Sequence, residues 1–240
     1  MKISLLSNSK SPLLGHTIQE LLKNKIQIDS IIFDKREESE HTLELYHQRT
    51  NGKLNFIPMD QFEGFQVPIF LVDNHNAEEA VQIVNDRHID LLVNAGTRRI
   101  LKNNILKAPS IGVLNAHPGL MPQFRGCNNL EWAIYLNEKV GVTVHLMSES
   151  IDKGPIILQE SLIFKKDDNY YEIRMKVYQL WFRMLARSII KIISQKDTIN
   201  DMDLSGEGRY FKKMPKNLLS EIINNVNKGK FKYQLTNLRK

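Results

Sequence analysis

The alternation of short apolar runs with helical apolar patterns in the first half of the chain constrains its fold more than any other feature. Met1 to Ser7 reads as a buried strand, Leu13 to Leu22 carries helical spacing with Gly15 near its start, and Gln27 to Phe33 reads as a second strand. A charged stretch from Arg36 to Glu44 and an irregular region through Gly64 follow. Val67 to Val72 then predicts a third strand, Ala77 to Arg87 a helix with Ala80, Val81 and Val84 facing inward, and Ile89 to Val93 a fourth strand. Such alternation predicts an α/β fold: an open, mostly parallel, Rossmann-like sheet with helices on both faces. Functional groups in these sheets gather beyond the carboxyl ends of the strands.

The second half extends the pattern. Ile111 to Leu114 is a further apolar strand, Asn128 to Leu136 suits a helix, and Val142, Val144 and Leu146 alternate with Thr143 and His145 as a strand does. Pro155 to Phe164 is extended, and the polar loop Ser148 to Gly154 before it exposes Asp152 at the edge of the sheet. The longest helical pattern runs from Asn169 to about Ser194, with Ile173, Val177, Leu180 and Met184 on one stripe and Trp181, Leu185, Ile189 and Ile192 widening it. A short helix follows near Leu218 to Val226. The expected division is one main domain over residues 1–195 and a short C-terminal appendage over residues 196–240.

Composition narrows the class. The chain has 240 residues, 42% of them hydrophobic, enough for a sizeable core. The single cysteine, Cys127, excludes an intramolecular disulfide and supplies no metal cluster, so no metal is expected and a reducing, cytoplasmic setting is the default. Polar residues interrupt the apolar start at Asn8, Ser9 and Lys10, and no apolar run approaches bilayer length, so no signal peptide and no membrane partner are expected. The net charge of +6 comes from scattered lysines and arginines. They form neither a basic recognition helix nor an aromatic RNA-binding strand, and no nucleic-acid partner is expected.

The chemistry concentrates in Asn115-Ala116-His117-Pro118-Gly119-Leu120-Met121-Pro122. In extended backbone, residues two apart project to the same side, so Asn115 and His117 can reach one reacting group. An amide can donate to a developing oxyanion, and a histidine near its natural pKa can take a proton from an amine. By itself such a pair is also compatible with a turn asparagine and a structural histidine, and Asp152 alone with a turn former beside Gly154. Trp132 and Trp181 fall in helical patterns and are expected in the core, as are the side chains of Cys127 and His145.

Asn115-Ala116-His117-Pro118 followed downstream by Asp152-Lys153-Gly154 resembles the folate-dependent formyltransferase family. So do Gln123-Phe124-Arg125-Gly126, Gly141-Val142-Thr143-Val144-His145 and Gly154-Pro155-Ile156-Ile157. The resemblance implies transfer of a formyl group from N10-formyltetrahydrofolate to an amine. Asn115, His117 and Asp152 are then catalytic: oxyanion donor, proton acceptor and its orienting partner. Asn94 to Leu101 resembles the family's Gly-x-x-Arg-Ile-Leu segment, which implies a folate site built on the backbone of Arg99, Ile100 and Leu101 and closed by Glu149, Ser150 and Ile151.

The acceptor follows from departures within the family. Relatives acting on initiator tRNA carry a further C-terminal domain, and those acting on glycinamide ribonucleotide have closely spaced glycines after the first strand, where this chain has Ser7 to Gly15. The remaining resemblance is to sugar-nucleotide N-formyltransferases. It implies dTDP-4-amino-4,6-dideoxyglucose or a close relative as acceptor, for surface-polysaccharide (O-antigen) synthesis, and a homodimer as the assembly. Arg125, Asn128, Asn129, Lys212 and Lys213 are candidate substrate contacts, with Tyr210 and Phe211 placed to stack on the base. Phosphoribosylglycinamide formyl transfer and a non-catalytic folate or nucleotide sensor are the alternatives.

Overall fold

The computed structural model describes residues 1–165, 167–194 and 208–230. Five parallel strands, β1 (Ile3–Ser7), β2 (Ser30–Asp34), β3 (Ile69–Val72), β4 (Leu91–Asn94) and β5 (Gly112–His117), are joined by two antiparallel ones, β7 (Gly141–Leu146) and β8 (Ile156–Ser161). The seven-stranded order is β3-β2-β1-β4-β5-β7-β8. A separate ribbon pairs β6 (Phe124–Gly126) in parallel with β9 (Arg209–Phe211).

Because successive strand residues face opposite ways, two apolar faces form. Ile3, Leu5, Ile31, Leu91, Val93, Leu114 and Ala116 point to one, which packs against α1 (Pro12–Lys23) and α6 (Tyr170–Ser194). Leu6, Ile32, Leu92 and Val113 point to the other, covered by α3 (Glu78–Asp86) and α4 (Asn103–Leu106). Ser11 caps α1 with its own side chain, and Pro12 fills the first turn, where a missing N–H costs nothing. Trp181 is buried, and its indole N–H donates to the carbonyl of Ala116, which locks α6 to β5. Its expected core placement is what the structure has.

Two features depart from the sequence pattern. The stretch expected to be irregular holds a helix, α2 (Glu40–Thr50), capped by Ser39 and closed by Asn51 in the left-handed region. Its own apolar stripe is thin, and it is held against α6 through Tyr46 and Tyr178, whose rings lie 6.2 Å apart. The edge strand β3 leaves Ile69 and Leu71 exposed.

The described part of the appendage shares the main core. Helix α7 (Lys216–Asn227) buries Ile222 and Val226 in the cluster that holds α6, and Asn227 accepts from the backbone N–H of Tyr170. Residue 195, at the end of the expected main domain, and residues 196–207 and 231–240, the remainder of the expected appendage, lie outside the described residues. No described helix is long and apolar enough to cross a membrane.

Candidate active site

Register places three polar side chains in one row. Val93 pairs with Leu114, so Asn94 and Asn115 are neighbours, and Asn115 pairs with His145. All three share the face of Leu92 and Val113, at the carboxyl end of the parallel strands. Asn94 donates through Nδ2 to Asn115 Oδ1 at 2.9 Å. Asn115 Nδ2 lies 3.1 Å from His145 Nε2, and His145 Nδ1 lies 3.0 Å from the carbonyl of Leu146. That carbonyl only accepts, so Nδ1 carries the proton and Nε2 accepts from Asn115. Of the two amide hydrogens of Asn115, one is thus used, and the other is the group that can meet a developing oxyanion.

His117, two residues further on, is buried at the end of β5. Its Nε2 lies 2.9 Å from the carbonyl of Phe124, again an acceptor, which leaves Nδ1 as the basic nitrogen. Nδ1 faces Asp152 Oδ1 at 3.5 Å, while Asp152 Oδ2 accepts from the backbone N–H of Gly126 at 2.9 Å. Burial pushes the His117 imidazole below its ordinary value, partly opposed by the Asp152 carboxylate and the Phe124 carbonyl. Burial, reinforced by the neighbouring His117, takes His145 down to about 4. Both rings are therefore neutral at pH 7, the state a proton acceptor requires.

The loop that carries Asp152 is built for this approach. Asp152 takes the left-handed conformation, with φ 53°, and a Cβ on Gly154 would lie 1.7 Å from the carbonyl oxygen of Leu146. Only glycine lets the chain return beside β7 there.

On the other side of the row a cleft of about 380 Å³ is lined by Asn103, Leu106, Lys107, Met147, Ser148, Glu149 and Ser150. Leu106 and Met147 supply apolar surface beneath a polar rim, the lining a flat heteroaromatic ring needs, so these residues fit a pterin. Of the residues expected at the folate, Glu149 and Ser150 line this cleft, and Arg99, Ile100, Leu101 and Ile151 do not. Ile151 is exposed beside Asp152, Ile100 is exposed, and Leu101 is buried, the last two leading into α4. The Arg99 guanidinium is bound by both oxygens of Asp34, at 2.7 and 3.0 Å, and by the carbonyl of Asp73. Its side chain fastens the loop.

The acceptor-side expectations divide. Arg125 is buried and donates to the carbonyl of Gly208 at 2.8 Å; it ties β6 to β9 and does not face outward to a phosphate. Asn128 accepts from the backbone N–H of Met214 and lies 3.4 Å from Glu131, so it too holds the fold together. Asn129 stands beside His117: its Nδ2 donates to the carbonyl of Gly126 at 2.8 Å and comes within 3.0 Å of His117 Nε2, a contact of two donors while Nε2 carries its proton. Phe211 stacks between Phe124 at 5.4 Å and Trp132 at 5.2 Å, so its ring is taken up by packing and is not open to a base. Tyr210, on the opposite side of β9, is 55% exposed, and Lys212 and Lys213 are exposed beyond it. Cys127 is exposed and has no packing role; the end of the β6–β9 ribbon turns it outward.

Two site residues escape sequence reasoning. Asn94 was legible only as part of the folate segment, and His145 as a packing residue; strand register, had it been known, would have placed both beside Asn115. Behind the site, Glu131 in the first turn of α5 (Asn129–Tyr135) is fully buried against Arg174 and the Tyr170 hydroxyl. Burial works against its ionisation, but Arg174 first and then Tyr170 outweigh this and hold its carboxyl down at about 2. This pair fixes the helix that carries Asn129. Among the described residues no cluster of metal-ligating side chains occurs.

A family model described as formyl transferase matches residues 1–189. The bifunctional polymyxin resistance protein ArnA of Wigglesworthia glossinidia brevipalpis is 30% identical over 167 residues, covering 67% of this chain and 25% of that protein. Phosphoribosylglycinamide formyltransferase from Bacillus halodurans superposes with a TM-score of 0.59 and 23% identity over 83% of this chain and 98% of that one. A sugar N-formyltransferase from Shewanella sp. FDAARGOS_354 gives a TM-score of 0.61 and 19% identity, covering 89% of this chain and 77% of that one. At these identities the superpositions establish the fold. The chain spans from 25% to 50% of the length of the curated relatives it matches, several of them methionyl-tRNA formyltransferases.

Proposed function

The chain belongs to the formyl transferase family, and from that premise we propose that it moves a formyl group from N10-formyltetrahydrofolate to the amine of a nucleotide-linked amino-deoxysugar. The observation that carries formyl transfer is the pairing of a neutral His117, its basic Nδ1 3.5 Å from Asp152, with an Asn115 amide fixed from both sides. The donor, when bound, supplies a formyl carbon on an arylamine nitrogen, a weaker base than an attacking alkylamine. His117 Nδ1 takes the proton that the amine loses, and Asp152 stabilises the imidazolium. The free N–H of Asn115 donates to the carbonyl oxygen as it becomes negative. His117 then returns the proton to the departing nitrogen.

The nucleotide-sugar reading rests on the ledge formed by Tyr210, Lys212 and Lys213. Tyr210 lies on β9, the strand paired with β6, whose Gly126 holds Asp152, and Lys212 and Lys213 follow directly after it. An exposed ring beside two cations suits a base attached to a diphosphate. A ribonucleotide phosphate at the start of α1 is disfavoured. Ser11 Oγ already accepts the N–H of Leu13, Pro12 has none to give, and a Cβ on Gly96 would lie 2.0 Å from Ser11 Oγ, so the turn is filled. The favoured acceptor is dTDP-4-amino-4,6-dideoxyglucose or a close relative. The test is formyl transfer to dTDP-4-amino, dTDP-3-amino and UDP-4-amino sugars, with glycinamide ribonucleotide and charged initiator tRNA as controls. Product with either control alone overturns the acceptor assignment, and binding without any product overturns catalysis.

A further inference from the structure

The hydrogen bonds around Asn115 have a single direction, set by backbone groups at both ends. The backbone N–H groups of Gly96 and Thr97 donate to Asn94 Oδ1 at 3.1 and 3.0 Å. A backbone N–H can only donate, so Asn94 must turn its oxygen to that turn and its NH2 group to Asn115. Asn115 Oδ1 is therefore the acceptor, 2.9 Å away, and its own NH2 group is driven towards His145 Nε2 and the site. At the far end the Leu146 carbonyl, 3.0 Å from His145 Nδ1, favours the proton there.

An amide has two faces of nearly equal shape, and only one of them is useful here. With NH2 turned inward, Asn115 donates to an oxyanion; flipped, it would present an oxygen and repel one. We propose that Asn94 is a positioning residue for formyl transfer, holding Asn115 in the one amide orientation that gives the reacting oxygen a donor. The same side chain organises the 96–97 turn, so the segment leading to α4 and the cleft wall is built on the residue that aims the amide. This inference rests on the formyl-transfer reading of the site.

Asn94→Asp separates the two duties. The carboxylate still accepts from Gly96 and Thr97, so the turn and the fold are kept, but at neutral pH it has no hydrogen for Asn115. Expected at pH 7.5 is a fall in kcat of roughly ten- to a hundredfold, with KM for donor and acceptor within about twofold of wild type. Protonation of the introduced carboxylate restores an O–H donor, so the ratio of variant to wild-type kcat rises as the medium is acidified. A defect that merely loosened the turn would not recover in acid. Asn94→Leu, which removes both duties, should lose kcat and also raise KM for the formyl donor.

The tautomer of His145, read from its imidazole 15N shifts, reports the amide orientation without any turnover. It is Nδ1–H in wild type, favoured together by the Leu146 carbonyl and the Asn115 NH2 group; a flipped amide sets its oxygen against Nε2, and the Nε2–H share rises in Asn94→Asp. Unchanged kcat in Asn94→Asp overturns the proposal, as does an unchanged tautomer. If wild type transfers formyl to no amine while the tautomer still shifts, the functional reading fails and the control of Asn115 by Asn94 stands.

Discussion

His117 presents Nδ1, and not Nε2, to Asp152: the two groups stand 3.5 Å apart, while Nε2 is 2.9 Å from the carbonyl of Phe124. A backbone acceptor thus decides which nitrogen is basic, and in the proposed transfer the carboxylate stands beside it to meet the charge that proton transfer would create. The same carboxylate is anchored by the N–H of Gly126, so the His117–Asp152 geometry and the β6–β9 ribbon are mechanically linked.

The acid limb of the kcat/KM profile should lie below the ordinary histidine value of about 6.5, because burial depresses His117 and the enzyme needs it neutral. Asp152→Asn removes a group that raises this pKa, so the limb should move to still lower pH while kcat drops by roughly 10²- to 10⁴-fold. A limb that moved upward, or full activity in Asp152→Asn, would assign proton transfer elsewhere.

Asn115→Ala should reduce kcat by about 10²- to 10³-fold, the equivalent of about 3–4 kcal/mol, since it deletes one oxyanion donor. KM should change little, because the hydrogen bond forms as charge develops. Steady-state kinetics with saturating formyl donor would reveal the split, and a loss confined to KM would make Asn115 a binding group.

The sheet and its apolar faces were legible because strands such as Leu91–Asn94 and Gly112–His117 are locally encoded by apolar alternation and by β-compatible runs. Asn115 and His117 were legible for the same reason: both lie on one strand, two residues apart. Helix α2 was not, since Leu43, Leu45 and Tyr46 are only half-buried; its visible marks were the Ser39 cap and the Asn51-Gly52 stop. Asn94 and His145 reach Asn115 through strand pairing, which no local pattern encodes. Arg125 and Phe211 looked like ligand residues by type, and tertiary contacts took them for packing.

Glu131 and Arg174 form a buried pair, and deleting one partner leaves an unpaired charge in the core. Glu131→Gln or Arg174→Met should each cost about 3–5 kcal/mol in urea unfolding. The double replacement Glu131→Leu with Arg174→Met should recover part of that loss, because no lone charge remains. Equal stability of the single variants and wild type would show that the pair contributes nothing.

Tyr210→Ala and Phe211→Ala should part company. The exposed Tyr210 ring can be removed without loss of packing, so the variant should melt like wild type and bind the nucleotide sugar roughly tenfold more weakly. Phe211 fills the space between Phe124 and Trp132, so its loss should lower stability by up to about 3 kcal/mol. Calorimetric titration and thermal melting distinguish these effects; unchanged affinity in Tyr210→Ala would remove the ring from the acceptor site.

Acid should destabilise the fold in two windows. His75, His117 and His145 are all buried and held below the ordinary histidine value, chiefly by burial, so the unfolded chain binds protons that the folded one refuses. Their contribution is fully present above about pH 6.5, the unfolded value, and is lost as pH falls from there towards the depressed folded values. Glu131, held at about 2, adds a second loss as its unfolded counterpart protonates near pH 4.5 and below. Urea midpoints should therefore fall from about pH 6.5 towards pH 4 as the buried histidines are protonated, and more steeply below about pH 4.5, where Glu131 adds its loss. His145→Gln, which keeps an acceptor for Asn115, should flatten the first fall and leave the second unchanged. A wild-type midpoint that stays level from about pH 6.5 to about pH 4.5 would mean that the histidines are not held neutral, and with them the proton acceptor at His117 would lose its physical basis.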